Sequence, residues 1–414
     1  MTTLYQTTRG PSYDPVPVEL WTWTGEPLGK LGAYDRMALT FTGKPGAADT
    51  AELTLYLDDL TANLLPCDGT VLIGARVNGK THLTTPVTAE AASGDNPGTA
   101  MLEVTASGGW ALLAGGVIPP GLGVKLEETT ASEYDLAGPL EDVVKEIVTT
   151  VAARLGHPVY VTPSNHRGPT VTARGAWENA AEVVAELLAN TGYRLVMSGW
   201  LPGDAQPYDD YVFTAPCFVA DVVPYRERPG LMWTTSGGEV SSWRVKRKRA
   251  SLTRVVVTNG ADDRADLRHA EVHAAEGPSP WGVREAYTEH EPPEDADGNV
   301  DPLLVGPALE AAGKALLAER GAAVEVSIEV SPAGGWEFGT DGVTPRQYDV
   351  GDTATVELPV LGALTQVVTD VTVEITPEVV TVTPTVGTPD TIDLSTYGQH
   401  AELTKRLTRL ERKG

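Results

Sequence analysis

The stretch GARVNGKT, Gly74 to Thr81, has the spacing G-x-x-x-x-G-K-S/T. In a phosphate loop of that form, backbone N–H groups cradle phosphates, the lysine reaches the outer ones and the hydroxyl holds Mg²⁺. Such a loop joins a buried strand to a helix whose N-terminus faces the anion. VLIG ahead of it can be the strand, but HLTTPVT after it puts β-branched residues and Pro86 where the first helical turns belong. The same residues read better as a hairpin. Val71, Ile73 and Val77 carry strand character, Asn78-Gly79 supplies the two-residue turn with positive φ, and a second strand leaves through His82.

Other chemical candidates are thinner. In LRHAEVH, a strand would place His269, Glu271 and His273 on one face, but the pattern is not H-E-x-x-H and two imidazoles do not make a zinc site. A solvated strand face is the expectation. HEPPE, from His290, has Pro292 and Pro293 where a zincin needs helix. No G-x-S-x-G elbow occurs, and Asp58-Asp59, Asp209-Asp210 and Asp262-Asp263 are indistinguishable from turn residues in so acidic a chain. No catalytic residue, metal ligand or cofactor is therefore assigned. RVKRKR, residues 244–249, is the dense basic cluster outside the tail. On a strand, Arg244, Lys246 and Lys248 face away from Trp243 and Val245, which suits either a solvated edge or a contact with an acidic neighbour.

The totals narrow the field. A length of 414 residues implies roughly two to four packing units. With 41% hydrophobic and 21% charged residues the composition is that of a folded chain, and no run is long and apolar enough to cross a membrane. A charge of −25, from 56 acidic against 31 basic side chains, repels a phosphate backbone, so specific nucleic-acid binding is not expected. An acidic wall would instead suit a duct that DNA passes without sticking. The amino terminus carries no secretory pattern, which predicts synthesis in a cytoplasm. Cys67 and Cys217 are too few for a disulfide framework and are expected as apolar fillers.

The elements that must position these residues give an α+β, mainly β chain. Residues 1–128 read as strands, with Leu53, Leu55 and Leu57 alternating against Glu52, Thr54 and Tyr56. Residues 129–240 bring a small α/β domain. Its first helix begins near Pro139, carries the stripe Leu140, Val143, Val144, Ile147 and Val151, and ends at Gly156; Glu141 and Asp142 suit its positive N-terminus. A second helix aligns Trp177, Ala181, Val184 and Leu188, and YRLVM follows as a strand. Residues 241–390 return to β structure, a small barrel or sandwich with a helical insertion at about 305–320 through Leu309, Leu316 and Leu317. The last segment, 391–414, is a linker and a short amphipathic helix with Leu403, Leu407 and Leu410 on one side and basic residues around them. It is too short to be stable alone and needs a partner surface.

Three stretches resemble one family. GEPLGKLGAYDRMALT with ELTLYL and ARVNGKT, ALEAAGKALLAERG with VEVSIEV, and QYDVGDTATVELPVLG with VTDVTVEITPE are similar to the tail hub proteins, or minor tail proteins, at the tail tip of long-tailed phages of actinobacteria. These in turn look related to the hubs of contractile tails and to secretion spikes. In the last stretch Gly351 can give a turn its unusual φ and Asp352 can bond the turn backbone. The resemblance implies a homotrimer with two barrel-like domains per subunit, set as a pseudo-sixfold ring that continues the tail tube. It implies a structural role in host attachment and genome delivery at the virion tail tip, or baseplate. Its partners would be a distal tail or tail tube protein, a tape measure protein and other tail-tip or fibre proteins, with no nucleic acid bound and no membrane entered. It also makes Gly74 to Thr81 a hairpin and this chain a bare hub, with wall-degrading or receptor-binding activity on other chains. Trp243, Arg244, Lys246, Lys248, Leu403, Leu407 and Leu410 are the interface candidates; Asn78, Gly79, Gly351 and Asp352 are the structural turns. Two alternatives stay open: a nucleotide or metal-dependent hydrolase, and a glycan-binding protein using exposed tryptophans.

Overall fold

In the strand Thr50–Tyr56, Ala51, Leu53 and Leu55 are buried while Glu52 and Tyr56 face outward, the period-two pattern written in the sequence. The computed structural model describes residues 16–387 apart from 32–33, 94–99, 124–127, 190, 208–210, 262–265, 275–281, 291–301, 321–322, 331–335, 340–345, 360–361 and 378–379. Leu403, Leu407 and Leu410, the pairs Asp209-Asp210 and Asp262-Asp263, and the side chain of Lys248 thus lie outside what it describes. Among the described residues the fold is α+β and mainly β, with four α-helices. The chain divides into two compact units, residues 1–244 with 326–414, and residues 245–325.

In the first unit Pro27–Leu31, Val18–Thr22, Val71–Val77 and Lys80–Ser93 lie side by side in that order, all antiparallel. Lys80–Ser93 changes partners along its length: it pairs with Val71–Val77 up to Thr84, then with Ala100–Ser107 from Thr85 onward. The register slips between Pro86 and Thr88, where a proline offers no N–H to the ladder. The sheet continues through Thr50–Tyr56 and Arg36–Thr42 to the late strands Gly362–Ile375 and Val380–Gly387.

Arg36–Thr42 against Gly362–Ile375 is the seam between the two ends of the chain. Met37 faces Ile375, Leu39 faces Val373 and Phe41 faces Val371, and all six side chains are buried on one side. On the other side Thr40 and Thr372 share a hydrogen bond of 3.1 Å, Thr42 Oγ1 donates to Asp370 at 2.8 Å, and Arg36 Nε donates to Glu374 at 2.7 Å. Cross-strand pairs of this kind hold register, because a slip by one residue would exchange the two faces.

Helix Leu140–Leu155 starts at Pro139 and ends on Gly156 at φ 69, the left-handed closure that glycine makes without strain. Its apolar side, Val143, Val144, Ile147, Val148 and Val151, joins a core with Leu195, Phe218, Ala220 and Val222 of the sheet Tyr193–Trp200, Cys217–Pro224, Val159–Val161. Helix Ala180–Leu188 begins one turn later than its periodicity suggests. Asn179 Oδ1 accepts from the N–H groups of Ala181 and Glu182 and so sets the first turn. Trp177 is left ahead of the helix at φ 61 and half exposed, so it is not part of the apolar stripe.

Glu141 is likewise not a solvated helix-end carboxylate. It is fully buried, receives Nε and Nη2 of Arg167 at 2.9 Å each, and takes Lys145 Nζ at 2.6 Å. Lys145 also donates to Thr162 Oγ1 at 2.7 Å, and both cations meet Asp221. Burial pushes the Glu141 carboxyl up, but the Arg167 and Lys145 hydrogen bonds outweigh it and hold the group far below the usual carboxylate range.

The second unit is small. Arg254–Thr258 lies between antiparallel His269–His273 and parallel Glu285–Glu289. Helix Pro302–Glu319 covers one face, with Val305, Leu309 and Leu317 against Val255, Val257 and Val272. Gly313 permits the approach, since a Cβ there would come within 2.6 Å of Val272 Cγ2.

The buried network gives a pH-dependent prediction. Replacing Glu141 by Gln leaves two cations facing one carboxylate and should lower stability by about 3 kcal/mol at pH 7. Because the folded-state pKa is depressed, this contribution is complete above the unfolded carboxylate pKa and is lost as pH falls below it. Thermal melts of the two proteins should therefore converge as pH is lowered from about 4.5.

Candidate functional site around Lys80

Asn78 and Gly79 have φ of 46° and 78°, and they turn Val71–Val77 back into Lys80–Ser93 with Val77 paired to Lys80. No helix follows Lys80. The lysine opens a strand, so its backbone N–H groups serve the ladder and no helix N-terminus faces a phosphate position.

The side chains are committed as well. Lys80 Nζ lies 2.6 and 2.7 Å from the two oxygens of Asp349, and it sits 5.6 Å from the ring centres of both Phe41 and Phe338. Thr81 Oγ1, the would-be metal hydroxyl, donates to Asp204 at 2.7 Å. Arg76 Nε donates to the same carboxylate at 2.6 Å, and its Nη1 lies 3.1 Å from Glu19. Asn78 Nδ2 reaches the carbonyl of Phe338 at 2.8 Å. The hairpin is thus fastened to the late part of the chain by an ion pair, the Phe338 ring and a side-chain hydrogen bond.

A cavity of about 840 Å³ opens beside this junction, bounded by Phe41, Asp49, Lys80, Trp110, Arg194 and Asp349 among others. Arg194 Nη2 donates to the Val350 carbonyl at 2.6 Å. Burial pushes the Asp49 carboxyl up to about 6, against the N–H of Thr42 and the charges of Lys80 and Arg194. Burial also raises Asp349, but Lys80 and Arg194 bring it below the ordinary range. Lys80 is paired with Asp349 and Arg194 donates to the Val350 carbonyl, so acceptors of the chain itself fasten this place.

The turn after Asp349 completes it. Gly351 takes φ 86, and a Cβ there would run into Arg194 Nε, so glycine is required twice over. Asp352 accepts from the N–H of Asp349 at 3.0 Å and from Arg226 Nε and Nη2 at 2.6 and 2.8 Å. Sequence reasoning singled out the turn but not its partners Arg194 and Arg226, for which no local spacing gives a signal.

The remaining candidates fall elsewhere. His269, Glu271 and His273 are exposed on the outer strand of the second unit, where Glu271 holds Arg254 at 2.7 Å and His273 at 2.6 Å. Among the described residues no group of three His, Cys, Asp or Glu side chains converges as a metal set. Trp243, Arg244 and Lys246 are exposed along Val240–Lys248, with Val245 half-buried between them. Cys217 is buried and Cys67 half-buried. Among the described residues no helix is long and apolar enough to cross a membrane.

Residues 17–388 match the family model described as Siphovirus ReqiPepy6 Gp37-like protein. The chain belongs to that siphovirus family. The fold is that of phage tail proteins. The 43 kDa tail protein of prophage MuSo2 from Shewanella oneidensis is 13% identical with a TM-score of 0.56, covering 91% of this chain and 100% of that one. The tail protein from Neisseria meningitidis MC58 is also 13% identical, with a TM-score of 0.52 and coverage of 91% and 99%. No curated protein sequence matches the chain. Family and fold support a structural protein of a phage tail, and neither the family nor these neighbours are known enzymes.

The junction gives a direct test. Lys80→Ala strands the Asp349 carboxylate and should cost about 2–3 kcal/mol in denaturant unfolding. Calorimetry with Mg-ATP should show no binding to the unaltered protein. ATP binding that disappears in the variant would restore the phosphate-loop reading.

Proposed function

We propose that this siphovirus Gp37-like protein is the hub of the tail tip, three copies forming a ring that continues the tail tube. The observation that carries this reading is the seam of Arg36–Thr42 with Gly362–Ile375, which ties strands from both ends of the chain into one sheet. A subunit built this way resists being pulled apart along its length, because loading one end loads a ladder shared with the other. A ring at the end of a tube needs such stiffness, along with repeated subunit contacts and an open bore, and it needs no reaction centre.

On this proposal the four sequence segments, 1–128, 129–240, 241–390 and 391–414, are the working parts, with two barrel-like β domains flanking the α/β domain. The distal tail or tube protein and the tape measure protein lie on the tube side, and fibre or receptor-binding proteins are anchored on the other. The acidic composition suits a bore that passes DNA without holding it. The leucines at 403, 407 and 410 are assigned to a threefold bundle or to docking on a partner.

The purified protein should sediment as three subunits at micromolar concentration, and a labelled copy should appear at the tail tip of the particle. A single-subunit mass at every concentration, together with a label along the tube or on the head, would refute the hub.

A further inference from the structure

A chain of net charge −25 repels its own copies over most of its surface, so self-association must use a local exception. The strand Val240–Lys248 is such an exception. It ends the order of its sheet, so among the described residues one of its edges carries no strand. Arg244 and Lys246 are exposed on it, and Trp243 is 41% exposed between serines and basic residues.

A strand of opposite character ends another sheet. Among the described residues Glu285–Glu289 is paired on one edge only, to Arg254–Thr258. Glu285 and Glu289 are exposed, and Tyr287 between them is 61% exposed. The Arg254 guanidinium lies 2.9 Å from Glu285 and 2.7 Å from Glu271. Arg254 thus meets two carboxylates, and Glu289, opposite Thr258, adds a third to the edge, which stays acidic.

We propose that the basic edge Val240–Lys248 of one copy adds to the acidic edge Glu285–Glu289 of a second copy. The inference rests on the ring reading above and names the contact that would build it. Main-chain hydrogen bonds supply the affinity of an added strand, and opposite charges choose the partner edge. Two basic edges repel one another, as do two acidic ones, so like-with-like pairing is discouraged. Only the head-to-tail arrangement is left, and a head-to-tail contact closes into a ring when its rotation permits. Tyr287 shares the face of Glu285 and Glu289 and so meets the basic side chains, while Trp243 covers the opposite face of the joined strands.

The test uses full-length protein and three variants, read by mass in solution with circular dichroism as a check of folding. Arg244→Glu with Lys246→Glu should weaken assembly at least tenfold, and so should Glu285→Lys with Glu289→Lys. The fourfold variant carries both reversals, which makes the edges complementary again, and it should assemble like the unaltered protein. Since Glu285 also holds Arg254, Glu289→Lys alone is the companion variant if the pair disturbs folding. Normal assembly by a folded single-edge variant, or failure of the folded fourfold variant to recover, overturns this contact while leaving the ring intact. A unaltered protein that never exceeds one subunit removes the ring and this contact together.

Discussion

The structure depends on the pairing of Arg36–Thr42 with Gly362–Ile375. Arg36 and Glu374 are 338 residues apart, and bringing such distant segments together costs about 5 kcal/mol of loop-closure entropy by the logarithmic rule. Six apolar side chains are buried along the seam, and each contributes roughly 1.5–3 kcal/mol at the upper estimate. Burial therefore outweighs closure, and the polar pairs on the other face decide register. A pairing this distant makes folding slow, since the closure entropy is paid before the contact rewards it.

The junction around Lys80 fixes what the seam brings close. Phe41 belongs to a seam strand and also covers the Lys80 ammonium, while Asp349 lies just ahead of the late strand Asp352–Leu358. Arg194, from the α/β part, reaches Val350, and Arg226 grips Asp352. One turn of four residues, Asp349 to Asp352, thus receives side chains from three other strands. Its ion pairs are only partly buried and their net worth is modest, but removing one partner leaves a charge in a place with little water. This explains how a sequence that imitates a phosphate loop becomes a structural fastening.

The local parts of this fold were legible in the sequence and the long-range parts were not. Asn78-Gly79, the helix that ends at Gly156 and the alternation around Leu53 each announce a conformation through residues within a few positions. Trp177 misled because helical periodicity ignores caps, and Asn179 two positions later sets the true start. Glu141 resembled a helix-end charge because Arg167, the guanidinium that holds both its oxygens, is 26 residues away. For the same reason no spacing in GARVNGKT points to Asp349, and nothing in MALTF names VTVEI as its neighbour. Charge and period describe what an element wants, while topology decides which element supplies it.

A tail structural protein in the Gp37-like family is well served by such a plan: extended sheets joined across the chain, with buried charges such as Glu141 and Asp352 held by cations of the same subunit. Native-state hydrogen exchange of the backbone amides in Met37–Phe41 and Val371–Ile375 tests the central claim most directly. If the seam is the common support, both sets should open only with global unfolding and with the same free energy. Exchange of Val371–Ile375 through its own lower-energy opening, while Met37–Phe41 stays protected, would contradict the account.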